Sequence, residues 1–248
     1  MSGLQRFTAV LQLFSESKSV WTVHEMAVAL SVPQSTVYRT VRDLLNENFL
    51  EAMGEARYRL GSVFIEYDRL LRLTDPLVRA GEVVLEDLVA AAGMPCVSLL
   101  CRLYNDQVMC VVDAAAGEPF RSSYERGRPM PLTVGATSKA ILAHLPARRF
   151  NRLLDGVDPS QVDLLRRELA AIRKTGICVT ASEIDRDVIG IAAPVFPREP
   201  GSLASLSLVL PRKQADDSVA QRLAQAVFEG ARRLESLLAV EQPVRRPD

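Results

Sequence analysis

The sequence predicts an α+β protein in two parts, a helix-rich N-terminal head followed by a larger region in which helices pack on a sheet. Three observations carry this. Thr22 to Leu60 reads as helix, tight turn, helix and hairpin, the order of a winged helix-turn-helix. From Cys96 onward, short apolar strand-like runs are interleaved with helical stripes, which fits helices packed on a sheet. The 248 residues are 48% hydrophobic and 24% charged, enough apolar surface for two packed units and too much for a disordered chain.

Composition narrows the function classes. The formal net charge is zero, which argues against a chain that coats nucleic acid by charge alone, so any DNA contact must come from local placement. Cys96, Cys101, Cys110 and Cys178 have no C-x-x-C spacing and His24 and His144 stand apart, so no zinc site, no cofactor and no disulfide is expected, and the cysteines read as reduced core residues. Apolar runs such as Val108 to Val112 and Ile189 to Phe196 fall far short of the ~20 residues of a membrane helix. The N-terminus has no small-residue cleavage site. The expected location is the cytoplasm, with no membrane partner.

In the head, Phe7, Val10, Leu11 and Phe14 recur at i, i+3, i+4 and i+7 and predict an amphipathic helix. A short strand at Val20-Trp21 precedes Thr22 and Glu25, which form a capping-box pattern for a helix over Val23 to Leu30. Pro33 suits the first turn of the next helix, the candidate recognition helix, whose Val37, Val41, Leu44 and Leu45 share one face. Arg39 points nearly opposite, flanked by Gln34, Ser35, Thr36, Tyr38 and Arg42, so the outward face offers hydrogen-bond donors for bases and phosphates. Leu50 to Met53, a turn at Gly54-Glu55 and Ala56 to Leu60 alternate with period two. That hairpin should face Tyr58 and Leu60 inward and Arg57 and Arg59 outward, where a wing can touch phosphate. A protein-docking module is the alternative for such a head, but docking faces carry an apolar anchor that this helix lacks.

The run from Leu4 to Gly61, with VPQSTVYRTVRDLLNENFLE followed by YRLG, resembles the isocitrate lyase regulator (IclR) family of bacterial transcription factors. Val32 and Ser31 stand where that family usually has leucine and glycine. The resemblance implies a winged helix-turn-helix over residues 1–61, a linker helix over 62–75, a GAF-like α/β effector domain over 76–241 and a tail over 242–248.

Beyond the head, Val63, Tyr67, Leu70 and Leu71 mark the linker helix, and Asp75-Pro76 caps the helix that ends at Gly93. Strands are expected at Val97 to Leu103, Val108 to Asp113 and Pro119 to Tyr124. Helices are expected over Ser138 to Leu145, Ala147 to Leu154 and Ser160 to Thr175, the last with Val162, Leu165, Leu169 and Ile172 on its stripe. Three strands follow, at Ile177 to Ala181, Val188 to Phe196 and Leu203 to Leu210, then a helix to about Val240.

The Gly135 to Ser138 turn leads into a helix whose free N–H groups could meet a polar ligand or simply make a tight turn; the residues alone leave these even. The resemblance, carried further by GRPMPLTVGATSKAILAHL, ELAAIRKTGI, IGIAAPVF and SLSLVLP, tips it toward a small-molecule cavity. Its implied walls are Gly135, Ala136, Thr137, Gly190, Ser207 and Val209, with Leu99, Cys101 and Met130 as apolar lining and Asp185 in a closing loop. Ala136-Thr137-Ser138 replaces the family's usual small-glycine-lysine start and makes the floor more polar. An enzyme is not expected, because G-x-S-x-G, Walker and G-x-G-x-x-G patterns are missing and the GATSKA segment puts Ala136 rather than serine three residues before Lys139, so that it fails S-x-x-K. The resemblance implies a ligand-responsive regulator, most simply a repressor, with double-stranded operator DNA, a small carboxylate or aromatic effector, and its own copies in a dimer or tetramer as partners. A metabolite-binding enzyme or an interaction module is the alternative.

Overall fold

The computed structural model describes residues 3–118, 120, 122–198 and 201–240. The chain divides into two units, Met1–Leu73 and Thr74–Asp248.

In the first unit, helix α1 (Gly3–Leu11), strand β1 (Trp21–Thr22) and helices α2 (Val23–Leu30) and α3 (Gln34–Asn46) precede the hairpin β2 (Leu50–Ala52) and β3 (Arg57–Leu60) and helix α4 (Val63–Thr74). Val10, Met26, Ala27, Val37, Val41, Leu44 and Leu50 form the core. α1 stops at Leu11 rather than reaching Phe14, which still packs on that core from the following turn. The capping box of α2 forms as expected. Thr22 Oγ1 accepts from the Glu25 N–H at 3.2 Å, and Glu25 Oε2 accepts from the Thr22 N–H at 2.8 Å. The Lys18 ammonium and the Thr22 bonds hold the Glu25 carboxyl down at about 2. α2 ends on Ser31 at φ 55°, the left-handed region that explains why glycine is usual there. Pro33 is the N-cap of α3, one residue earlier than the first-turn position anticipated.

The three strands pair in the order β1-β3-β2. Leu60 departs from expectation. It sits opposite buried Leu50 and so lies on the inner face, but the core runs out beneath it and it stays 43% exposed beside a groove lined by Phe14, Val20 and Met53. Gly61 then brings the hairpin against the end of α3, where an added Cβ would collide with the Asn48 carbonyl. No residue of α4 is buried.

The second unit contains α5 (Pro76–Ala92), β4 (Cys96–Tyr104), β5 (Gln107–Ala116), β6 (Pro129–Pro131), α6 (Ala136–Leu142), α7 (Ala147–Leu153), α8 (Pro159–Thr175), β7 (Cys178–Ala181), β8 (Val188–Val195), β9 (Ala204–Pro211) and α9 (Asp217–Val240). Asp75 caps α5 by accepting from the Leu77 N–H at 2.9 Å, ahead of Pro76. The strands form one antiparallel sheet in the order β6-β5-β4-β9-β8-β7. The strand anticipated at Pro119 to Tyr124 is displaced. Phe120 and Ser122 to Tyr124 are not in a strand, Pro119 and Arg121 lie outside the described residues, and β6 at Pro129–Pro131 pairs with β5 instead. Two prolines suit this position because β6 is an edge strand, where a missing N–H donor costs no ladder bond. The tail beginning at Glu241 also lies outside the described residues.

Alternation along each strand separates two cores. Leu206, Leu208 and Leu210 of β9 join Ile189 and Ile191 of β8 against α5 and α9. Val209 joins Leu99, Cys101 and Ala192 against α6 and α8. α6 therefore lies directly on the second face of the sheet, and this places the candidate pocket.

Candidate functional site

On α3, burial of Val37, Thr40, Val41 and Leu44 leaves Gln34, Ser35, Tyr38, Arg39 and Arg42 exposed on the outer face. Thr36 is half-buried, and its carbonyl accepts from Thr40 Oγ1. Arg39 has no ion pair among the described residues, whereas the other outward arginines are paired. Arg42 meets Asp43 at 3.7 Å, Arg57 meets Glu55, and Arg59 meets Glu51 at 2.9 Å. The Arg59 guanidinium, with help from the Ser62 N–H, holds the Glu51 carboxyl below its usual range. The sequence anticipated the exposure of Arg57 and Arg59 but not their acidic partners.

In the second unit, α6 starts at Ala136 rather than Ser138 because Gly135, at φ +84°, turns the chain into the helix. A Cβ on Gly135 would approach Ile184 Cγ1 and the Tyr124 hydroxyl to 2.9 Å each. The helix also stops at Leu142, short of Leu145. The amides expected to meet a ligand are occupied by the protein itself. The Gly135 N–H donates to Glu183 Oε2 at 2.9 Å, and the Ala136 N–H donates to Thr180 Oγ1 at 3.1 Å.

Glu183 also accepts from Lys139, whose ammonium lies 2.8 Å from Glu183 Oε1 and 2.8 Å from Glu168 Oε2. Burial pushes the lysine pKa down, but the two carboxylates outweigh it and leave it above the usual value. A second tie joins loops 62 residues apart, where Asp185 accepts from the Ser123 N–H at 2.8 Å and from its hydroxyl. Tyr124 is pushed up to about 12 by burial, and its hydroxyl lies 3.1 Å from Ser138 Oγ. Tyr124, Glu183 and Asp185 line, with the start of α6, a small cleft with about 20 Å³ of free space, room for a single water.

Of the residues anticipated for a ligand, Gly135, Ala136, Thr137, Asp185, Gly190 and Val209 line this cavity. Leu99, Cys101 and Met130 do not; they belong to the adjoining apolar core on β4 and β6, whereas the cavity takes its strand residues from β7, β8 and β9. Ser207 sits between Ala192 and Leu99 in the sheet, fully buried, and its hydroxyl has no partner among the described residues. Sequence reasoning missed Tyr124, Thr180, Ile184 and Val188, placed Glu183 only within the acidic loop implied to close the cavity, and gave Lys139 no role. A lysine within an otherwise small and apolar helix was the available signal, since a buried ammonium requires acids.

The model of the bacterial transcriptional regulator IclR C-terminal domain matches residues 75–236, and that of the IclR helix-turn-helix domain matches residues 3–53. The chain belongs to the IclR family. This IclR-family protein is a transcriptional regulator with a DNA-binding helix-turn-helix and an effector-binding domain. It is 26% identical over 208 residues to the regulator KipR of Bacillus subtilis, covering 81% of this chain and 82% of KipR. It is 22% identical to the transcriptional repressor IclR of Escherichia coli, covering 94% and 88% of the two chains. Two solved IclR structures share the fold. One, from Alicyclobacillus acidocaldarius, has a TM-score of 0.79 at 23% identity over 95% of this chain and 98% of that one. The other, an IclR homologue from Microbacterium hydrocarbonoxydans in complex with 4-hydroxybenzoate, has a TM-score of 0.80 at 22% identity over 97% and 100%. Among the described residues, no helix is long and apolar enough to cross a membrane.

Proposed function

We propose that this regulator is a cytoplasmic repressor that reads a near-palindromic operator as a dimer or dimer of dimers and changes its affinity when a small molecule enters the pocket beside α6. The observation that carries this reading is the outer face of α3, where Arg39, without an ion pair among the described residues, stands between Gln34, Ser35, Tyr38 and Arg42 while the opposite face is packed. Arg39, with Gln34, Ser35 and Thr36 nearer the helix start, reads base edges; Tyr38 and Arg42 flank it, and Arg57 and Arg59 touch phosphate from the wing. The repressor role is supported by two relatives named as repressors, IclR of Escherichia coli and the acetate operon repressor of Salmonella typhimurium.

A single head spans too few base pairs to select an operator, so a second copy is needed. α4 supports that copy. A twelve-residue helix is marginal in water, and this one leaves Phe64, Ile65, Tyr67, Leu70 and Leu71 exposed, an apolar surface that a partner helix would cover.

The effector is a small carboxylate or aromatic compound, and 4-hydroxybenzoate, bound by the Microbacterium homologue, is both. Ligand pockets usually measure ~300 Å³ or more. Entry therefore opens the Glu183 and Asp185 ties, and a coupling of ~1–3 kcal/mol between pocket and heads gives a ~5–150-fold change in DNA affinity.

Replacing Arg39 with alanine tests the reading. Operator binding of the full-length protein should weaken by about 1–3 kcal/mol in a titration. Arg57→Ala should cost less and act alike on all sequences, since Glu55 already engages that arginine. Unchanged affinity in Arg39→Ala would refute the recognition assignment.

A further inference from the structure

Helices α2 and α3 meet in a polar contact on the exposed side of the head. His24, the second residue of α2, and Gln34, the first residue of α3, are both exposed, and Gln34 Nε2 lies 2.7 Å from His24 Nδ1. An amide nitrogen can only donate, so Nδ1 accepts and the neutral imidazole carries its proton on Nε2. Two consequences follow. The Nε2–H is directed away from Gln34 and remains a donor. The Gln34 amide, with one N–H spent on His24, keeps one N–H and its Oε1. A side-by-side donor and acceptor complements the major-groove edge of adenine, with its N7 acceptor and N6 donor. Turned over, the same amide would present two donors and complement guanine, whose O6 and N7 both accept. An acceptor at the position of His24 Nδ1 therefore decides which base Gln34 prefers.

We propose that His24 is a positioning residue for base recognition. It locks the Gln34 amide in the adenine-reading orientation while its Nε2–H donates to a DNA phosphate oxygen, so that backbone anchoring and base reading form one hydrogen-bonded relay. The inference rests on α3 being the groove-reading helix proposed above.

The test is selection of binding sites by the full-length protein from random-sequence double-stranded DNA, comparing wild type, Gln34→Ala, His24→Ala and His24→Asn. Wild type should favour adenine over guanine by about tenfold at one base pair in each half-site, the discrimination of a bidentate contact. Gln34→Ala should abolish that preference. His24→Ala should reduce it severalfold at that pair alone, with the remaining preferences and the melting temperature unchanged. His24→Asn, whose Oδ1 can accept where Nδ1 does, should restore it. An unaltered preference in His24→Ala, a loss spread evenly over all positions, a guanine at the Gln34-dependent pair, or no rescue by asparagine would each overturn the proposal. Wild-type protein that enriches no sequence would overturn the DNA reading itself. Enrichment that depends on Arg39 but not on Gln34 would leave that reading standing and remove only this inference.

Discussion

The two faces of the six-stranded sheet are made by alternate residues of the same strands, yet they are built to different standards. Under α5 and α9, Leu206, Leu208, Leu210, Ile189 and Ile191 close a core, and the polar intruder Ser98 is satisfied by donating to the Leu85 carbonyl at 3.0 Å. Under α6, the neighbouring positions of the same strands are Gly190, Ser205 and Ser207, and the hydroxyls of Ser205 and Ser207 are buried without a partner among the described residues. The helix above them contributes Thr137, Ser138 and Lys139, all buried. One face is optimised for packing. The other is as deeply buried but carries unsatisfied polar groups beside a small cleft, the pattern expected where local consistency yields to function.

Substitutions should expose this difference. Leu206→Ala, on the sealed face, should cost about 2–5 kcal/mol of stability in denaturant titration, because a large buried side chain leaves a cavity. Ser207→Ala, one residue along on the opposite face, should be neutral or stabilise by up to ~1 kcal/mol, since it removes a hydroxyl that pays a desolvation cost. A loss comparable with that of Leu206→Ala would mean that the two faces are equivalent after all.

The smallest effect concerns Lys139. Its pKa is raised in the folded state, so its contribution to stability is complete below the unfolded lysine value of ~10.4 and is lost as pH rises through the folded value. Melting temperatures recorded from neutral to strongly alkaline pH should fall less steeply in Lys139→Met than in wild type. Identical slopes would remove the lysine from the balance between the faces.

What the sequence made legible was whatever local chemistry writes. The Thr22 and Glu25 box, the Asp75-Pro76 start of α5 and the glycine ends of α5 and α8 all lie within a few residues of the structure they specify. Gly135, Ala136 and Thr137 were recognisable for a related reason, since small residues at a strand-to-helix turn are a local signal strengthened by family likeness.

The remainder depends on strand order, which no local pattern fixes. β4 lies beside β9, about a hundred residues away, and β7 closes one edge. Only that order brings Lys139 to Glu168 and Glu183, or Ser123 to Asp185. The third strand was misplaced because the polar stretch around Ser122 resembled a strand bounded by turns, while the true edge strand hides between two prolines. Leu60 was misjudged because alternation reports the face of a residue and not whether the core extends far enough to cover it.

Gly190 carries the contrast into evolution. A methyl group added there would stand 3.3 Å from the Ala136 Cβ and 3.6 Å from Thr180 Oγ1, beside a cavity of only about 20 Å³. One carbon atom is thus of the same order as the free space in that cleft. On the function proposed above, ligand choice would be tunable by single-codon changes at a strand position far in sequence from α3, so a lineage could exchange the metabolite it senses while keeping the operator it recognises.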